Sequence, residues 1–292
     1  MSTVVLVTGG TGKVGGRLAE QLREGAIPCR VAARNVHPSE DSRPFDWSQR
    51  ASWDAALEGV WAAYLIAPAT VADPAPLMIE FLQHAKQQGV ARFVLQSASL
   101  LPAGGPAMGQ VHLWLREHAS AWAVLRPTWF MQNFSEGQHL ASIRNESRIY
   151  SATEDGRVPF VSADDVATVA RLALTRDEPF NADFILTGSQ TLSYDEVAAR
   201  ISTVVGHKVS HHRLTPDLLA ARYRSLGLGP AYAQTLAAMD TAIARGAEDR
   251  VTTCVQSVTG RPPTTFGAFV EAGATVWSER NAVSRRALPA CG

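Results

Sequence analysis

Val4-Val-Leu-Val7, followed by Thr8-Gly9-Gly10-Thr11-Gly12-Lys13-Val14-Gly15, decides the architecture of this chain. Four apolar residues in succession read as a strand buried on both faces. Val14, Leu18 and Leu22 then recur at helical spacing, so the glycines occupy a strand-to-helix turn. The stretch reads as Gly-x-x-Gly-x-x-Gly and, one residue in, as Gly-x-Gly-x-x-Gly. Glycines suit such a turn because the backbone must bend tightly, pack helix against strand, and let a pyrophosphate approach without an intervening Cβ. Free N–H groups and the positive end of the helix dipole then face the phosphates. A dinucleotide is the expected ligand, with Gly9, Thr11, Gly12, Lys13 and Val14 around its diphosphate.

Outward from this turn, short apolar runs alternate with amphipathic helical patterns, the signature of βαβ units and a parallel sheet. Strands are expected at residues 29–34, 43–46, 62–67, 92–97 and 122–126, with a later one at Phe184-Ile185-Leu186. The helix after the fourth strand has Asp73 as N-cap, Pro74 at its first position and Gly89 beyond its end. Ser162-x-x-Asp165 and Ser193-x-x-Glu196 both have the form of a capping box. Beyond about residue 190 the pattern becomes mainly helical, with apolar stripes at Tyr232, Leu236, Met239 and Ile243 and from Phe266 to Trp277. The expected fold class is α/β: a Rossmann-like doubly wound parallel sheet with a smaller, mainly helical C-terminal part. Residues 1–190 would form the NAD(P)-binding domain, 191–277 the substrate-binding part and 278–292 a flexible tail.

The 292 residues carry 27 Lys and Arg against 27 Asp and Glu, a net charge of zero, and the 18% charged fraction is low. Neither a nucleic-acid partner nor a polybasic membrane partner is expected from that balance. No apolar run approaches the ~20 residues that cross a bilayer. The three cysteines, Cys29, Cys254 and Cys291, are widely spaced and suggest neither a disulfide framework nor a zinc site. Asp164-Asp165 reads as helix-start capping, and His211-His212, in an alternating strand, would point to opposite faces, so no metal site is expected. The N-terminus enters a strand pattern at once, and a cytoplasmic location is the expectation.

Arg34 closes the second strand, 19 residues after Gly15, where an NAD-specific site usually places an acid for the ribose 2′-hydroxyl. A guanidinium there can pair with a 2′-phosphate, so NADP (as NADPH) is favoured over NAD. Lys13 offers a second positive contact. Asp46, before Trp47, is a candidate for the adenine edge or a plain turn residue.

Several longer segments resemble the atypical short-chain dehydrogenases of the NmrA-like group, and among them the clavine synthases of ergot alkaloid metabolism, the festuclavine and agroclavine dehydrogenase type. They are the glycine motif, Phe45-Asp46-Trp47, Tyr64-Leu-Ile-Ala-Pro68, Arg92-Phe-Val-Leu-Gln-Ser-Ala-Ser99, Gly105-Pro-Ala-Met-Gly109, Leu125-Arg-Pro-Thr-Trp-Phe-Met-Gln-Asn-Phe134, Ile149-Tyr-Ser-Ala152 and Ala238-Met-Asp-Thr-Ala-Ile243. Together they span roughly residues 4 to 277. The resemblance implies NADP across the carboxyl ends of the strands, its ribose and nicotinamide near Ala67, Pro68, Ser97 and Pro127. It implies substrate over the nicotinamide, near Ser99, Trp129, Phe130, Met131 and Asn133; for the three apolar residues, burial in a plain core is the competing reading. Ser99 is the candidate catalytic residue, with a structural serine as the alternative.

An absence narrows the chemistry. Carbonyl reductases of the wider superfamily use a Tyr-x-x-x-Lys pair in which lysine lowers the tyrosine pKa for proton donation. The fourth residues after Tyr64, Tyr150, Tyr194, Tyr223 and Tyr232 are Pro68, Glu154, Ala198, Gly227 and Leu236, so no such pair exists. Gln110 stands where relatives carry the lysine, and His112 nearby reads as a core-edge residue. Without an acid, hydride delivery to a ketone would leave an unstabilised alkoxide, whereas an iminium already carries the activating charge. The leading expectation is an imine or iminium reductase of secondary metabolism. The alternatives are a reductase of an activated C=C bond or a quinone, and an NADP-binding sensor without turnover. The expected partner is an apolar or aromatic, amine-derived small molecule; a homodimer is left open.

Overall fold

The apolar run that opens the chain becomes the centre of the sheet, because a strand covered by helices on both faces has no polar side to present. The computed structural model describes residues 4–39, 41–68, 71 and 73–278. In chain order the strands are β1 (Val4–Thr8), β2 (Cys29–Ala33), β3 (Ser42–Pro44), β4 (Val60–Ile66), β5 (Arg92–Gln96), β6 (Ala121–Pro127), β7 (Arg148–Ser151), β8 (Arg157–Val158), β9 (Ala182–Leu186), β10 (Leu192–Ser193) and β11 (Ser210–Arg213). Seven of them form an all-parallel sheet in the order β3-β2-β1-β4-β5-β6-β9. The order reverses between β1 and β4, and in such sheets ligands bind at the carboxyl ends beside the reversal. The fold is the expected Rossmann-like one.

Each face of the sheet has its own core. On one, α1 (Lys13–Glu24), α6 (Ala163–Thr175) and α10 (Cys254–Thr259) bury Val14, Leu18, Leu22, Val166, Val169 and Val255 against β1, β4 and β6. On the other, α2 (Trp53–Leu57), α3 (Ala75–Gln87) and α4 (Met108–His118) bury Trp53, Phe81, Leu82, Val111 and Leu115. A third core joins α5 (Leu140–Glu146), α7 (Tyr194–Val205), α11 (Phe266–Ala272) and α12 (Ala274–Ser278) around Phe134, Phe160, Tyr194 and Phe266. The pairs β7–β11, parallel, and β8–β10, antiparallel, lie outside the main sheet. A small fourth cluster lies between α8 (Pro216–Ser225) and α9 (Pro230–Ala244), where Leu219, Ala220 and Tyr223 meet Ala233 and Ala237.

Local signals met different fates. The capping box at α7 is complete: Glu196 N–H donates to Ser193 Oγ at 3.2 Å, and Ser193 N–H to Glu196 Oε2 at 2.8 Å. At α6 only half forms. Ser162 Oγ accepts from Asp164 N–H, while the Asp165 carboxylate is drawn away by Thr264, whose N–H and hydroxyl donate at 2.7 and 3.1 Å. Before α3, Pro74 takes the cap position, one residue later than expected, while Asp73 Oδ1 accepts from Ala75 N–H at 3.2 Å; Gly89 follows in the left-handed region at φ +93°.

The stripe Tyr232, Leu236, Met239 and Ile243 divides: Ile243 is wholly buried in the third core and Leu236 packs partly against the α8–α9 cluster, while Tyr232 joins neither. The small side of α9, Ala233 and Ala237, packs on α8, and Tyr232 is left 48% exposed. Asp240, on this helix, is 2% exposed; its Oδ2 accepts from Ala152 N–H at 2.9 Å, and burial pushes its carboxyl up to about 7. The tail expected from residue 278, Cys291 included, lies outside the described residues beyond Ser278. Among the described residues no helix is long and apolar enough to cross a membrane.

Candidate active site

A cleft of about 750 Å³ runs along the carboxyl ends of the strands. Its floor is made where β1 gives way to α1. Gly9 is in the left-handed region at φ +61°, and Gly12 N–H donates to Gly9 O at 2.9 Å, closing the turn. A Cβ on Gly15 would stand 2.4 Å from Gly9 O and 2.9 Å from Gly10 Cα, so the helix could not start so close to the strand with any other residue there. Thr8 Oγ1 donates to Tyr64 O at 3.0 Å and accepts from Ile66 N–H at 2.9 Å, clamping β1 to β4 where the strand order reverses. Gly12 caps α1 without a side-chain hydrogen bond, and the first turn holds no acid. Its N–H groups therefore remain available to an anion.

Thr11, Gly12, Lys13 and Val14 line this end, and Lys13 Nζ donates to Asn133 Oδ1 at 3.2 Å. Burial lowers the Lys13 ammonium pKa against the raising effect of Glu136. At the other end Arg34 leaves β2 exposed, with no ion-pair partner among the described residues. Asp46 lies opposite and plays its turn role too, since its Oδ1 accepts from Ser48 N–H at 2.9 Å and Ser48 Oγ at 2.7 Å. Those bonds, more than Arg34, hold its carboxyl below the usual range. Trp47 completes this wall, fixed edge-to-face on Phe45 and Phe81 at 5.1 and 5.0 Å between ring centres.

Ala67, Pro68, Ser97, Ser99 and Pro127 form the middle. Ser97 N–H donates to Leu125 O and Ser99 N–H to Pro127 O, so the chain after β5 stays alongside β6. Ser97 Oγ is buried without a hydrogen-bond partner among the described residues. Trp129, Phe130 and Asn133 line the far end. Met131 does not: Phe130 and Met131 are pinned beside Val161, and the Met131 side chain, 1% exposed, turns into the third core. Its assignment to the substrate is corrected accordingly.

Sequence reasoning missed part of the far wall. Tyr232, Leu236 and Met239 of α9 line the cleft; their stripe is visible in the sequence, but none of them was expected at the site individually. Glu248 lines it too, and no periodicity or motif marks that residue. It is 2% exposed, and Ser99 Oγ donates to its Oε1. Its Oε2 has no hydrogen-bond partner among the described residues and forms a long ion pair with Arg250 Nη2, 3.8 Å away. Burial raises the Glu248 carboxyl above its ordinary value, opposed by Ser99, Arg250 and Arg126.

None of the five tyrosines is paired with a lysine. Tyr64 donates to Gln96 Oε1 at 2.6 Å and Tyr150 to Glu146 Oε2 at 2.6 Å, while Tyr194 and Tyr223 are buried in helical cores. Tyr232 is the tyrosine that lines the cleft, and Lys13 is the lysine that does. Gln110 Nε2 is spent on Gly104 O and Gly105 O at 2.7 and 3.0 Å. His112 is 2% exposed beside Trp122, its pKa lowered by burial. His211 accepts or donates at Ser151 Oγ, 2.7 Å away, while His212 packs edge-on against Tyr150, and no metal-ligand cluster occurs among the described residues. A glycine cradle, an open helix start, an orphaned Ser97 hydroxyl and a free guanidinium fit a dinucleotide with a 2′-phosphate.

No protein-family model matches the chain. An uncharacterised oxidoreductase of Bacillus subtilis, YesF, is 41% identical over 94% of this chain and 96% of its own length. Agroclavine dehydrogenase of Claviceps fusiformis is 40% identical over 95% and 99%, and festuclavine synthase II of Penicillium roqueforti 38% identical over 94% and 99%. Among solved structures, the NADPH complex of the quinone oxidoreductase QOR2 from Escherichia coli superposes with a TM-score of 0.77 over 92% of this chain and 99% of that one, at 22% identity, a likeness of fold. With two-fifths of its residues shared along nearly its whole length, the chain belongs to the oxidoreductase family of the agroclavine dehydrogenases and festuclavine synthases.

Proposed function

We propose that this protein is an NADPH-dependent reductase of an imine or iminium bond in an apolar, aromatic amine-derived molecule. The observation that carries the reading is the composition of the cleft: every lining group expected for a 2′-phosphorylated dinucleotide is there, and the tyrosine–lysine acid is not. When bound, the nicotinamide supplies a hydride. The chain's own contribution is then to position and to exclude water. Gly9 to Val14 hold the diphosphate, Arg34 pairs with the 2′-phosphate, and Ala67, Pro68, Ser97 and Pro127 shape the slot for the ribose and ring. Trp129, Phe130, Leu236 and Met239 enclose the substrate.

A carbon doubly bonded to a positive nitrogen needs no proton from this site. The hydride pair makes the new C–H bond, the C=N π pair becomes the nitrogen lone pair, and the charge is neutralised as the cofactor is oxidised. A ketone or quinone would instead require a proton at oxygen, and the chain has no Tyr-x-x-x-Lys pair to supply it. The test is NADPH consumption, followed by absorbance and product analysis, against a panel of cyclic iminium ions, enones and quinones. Turnover confined to the iminium ions is the expected result. Turnover of quinones or enones alone, or NADPH binding with no turnover of any class, overturns the reading.

A further inference from the structure

The acid at the far wall is unusual in its surroundings. Glu248 is almost wholly buried; one carboxylate oxygen accepts from Ser99, and the other has no hydrogen-bond donor among the described residues and only the Arg250 guanidinium, 3.8 Å away, as an ion-pair partner. A buried carboxylate oxygen left without a donor costs free energy that a fold normally recovers by pairing. Of the neighbouring cations, Arg250 stands at ion-pair distance from that oxygen, but neither arginine hydrogen-bonds to the carboxylate. Arg126 Nη1 is committed to Asp183 Oδ2 at 2.7 Å and its Nη2 to Ser99 O at 2.7 Å. Arg250 donates to Ala247 O at 2.8 Å and to Ser99 O at 3.5 Å, leaving 3.8 Å to Glu248 Oε2. Both guanidinium groups hydrogen-bond to the backbone carbonyl of Ser99, and none of these bonds is made to the carboxylate. Ser99 and Glu248 line the same cleft as Trp129, Phe130, Leu236 and Met239, and among the described residues lining that end Glu248 is the one acid.

We infer that Ser99 and Glu248 form the subsite that receives the positively charged nitrogen of the substrate, making the cleft selective for an aromatic cation over its neutral isostere. The inference rests on the iminium reading for the identity of that cation. In an apolar, water-poor enclosure an opposite charge is attracted far more strongly than at the surface, and the aromatic walls add attraction through their ring faces. Ser99 is then a positioning residue: its hydroxyl holds one carboxylate oxygen and so fixes the carboxylate in the cleft wall. Its carbonyl, tied to two arginines, fixes the hydroxyl in turn.

The test is direct binding, with the NADP-loaded full chain in a calorimeter. The probes are N-methyl-1,2,3,4-tetrahydroisoquinoline, cationic at neutral pH, and 2-methyltetralin, its neutral carbocyclic counterpart. The wild-type protein is expected to prefer the cation by roughly tenfold or more, the scale of one charge-assisted contact. Glu248→Gln, nearly isosteric, is expected to remove that preference while leaving NADP affinity and the neutral probe unchanged, and Ser99→Ala to reduce it in part. A wild-type protein that binds both probes equally overturns the inference without any variant having to fold. So does a Glu248→Gln protein that keeps the preference. A cation preference lost in Glu248→Gln together with no iminium turnover would sustain the subsite and reject the reductase reading. Iminium turnover with no cation preference would do the reverse.

Discussion

Asp240 gives the most direct physical test of the fold that carries the cleft. Its carboxyl is 2% exposed, receives one backbone hydrogen bond from Ala152, and is pushed by burial from an ordinary 3.8 to about 7. The folded protein therefore holds a proton between about pH 4 and pH 7 that the unfolded chain has already released. Stability falls wherever the folded state binds more protons, so this group lowers stability as pH rises from about 4 to 7 and lowers it no further above that. At about 1.4 kcal/mol for each pH unit, the gap from 3.8 to about 7 amounts to about 4 kcal/mol. Asp240→Asn keeps the shape and an oxygen for Ala152 N–H but cannot ionise. Urea unfolding of both proteins at half-unit steps from pH 4 to 8 checks this: the variant should gain on the wild type steadily up to pH 7, by a few kcal/mol, and the difference should then level off. Glu248 and Asp165, also raised by burial, titrate in both proteins and cancel in the difference. Parallel stability curves would refute the assignment of a burial cost to Asp240.

Two further outcomes concern the cofactor end. Arg34→Ala should weaken NADPH by roughly tenfold at low salt and leave NADH unchanged, a contrast that shrinks in high salt because the side chain is exposed; equal loss for both in a fluorescence titration would place the 2′-phosphate elsewhere. Gly15→Ala, with its Cβ 2.4 Å from Gly9 O, should lower the melting temperature by an overpacking cost of about 1–3 kcal/mol. It should weaken both dinucleotides together, since the turn and not the ribose is disturbed, and selective loss of NADPH alone would contradict that.

The sheet was legible because its signals are local and agree with one another: a two-sided apolar strand, a glycine turn that no Cβ could enter, and a helix at regular spacing. What failed to show was set by contacts between distant segments. Ser162-x-x-Asp165 has the spacing of a capping box, yet Thr264, 99 residues away, offers Asp165 two donors and takes it. Met131 stands between two cleft residues in sequence, but the turn at Met131–Asn133 swings its side chain into the third core. On α9 the apolar stripe is plain in the sequence, but which residues reach the cleft is set by the close approach of α8, which takes Ala233 and Ala237 and leaves Tyr232, Leu236 and Met239 to the cleft. Glu248 lies 149 residues from Ser99, and a lone glutamate after a helix carries no pattern to read.

The alanine face of α9 has a consequence for how selectivity can change. The helix bears the apolar wall on one side and leads, four residues past its end, to Glu248, so the shape and the charge of a ligand are met by one body resting on Ala233 and Ala237. Larger residues at those two positions would tilt that body away from α8 and reshape the cleft without altering any group that lines it. A library aimed at new substrates would then find its leverage behind the wall as well as on it.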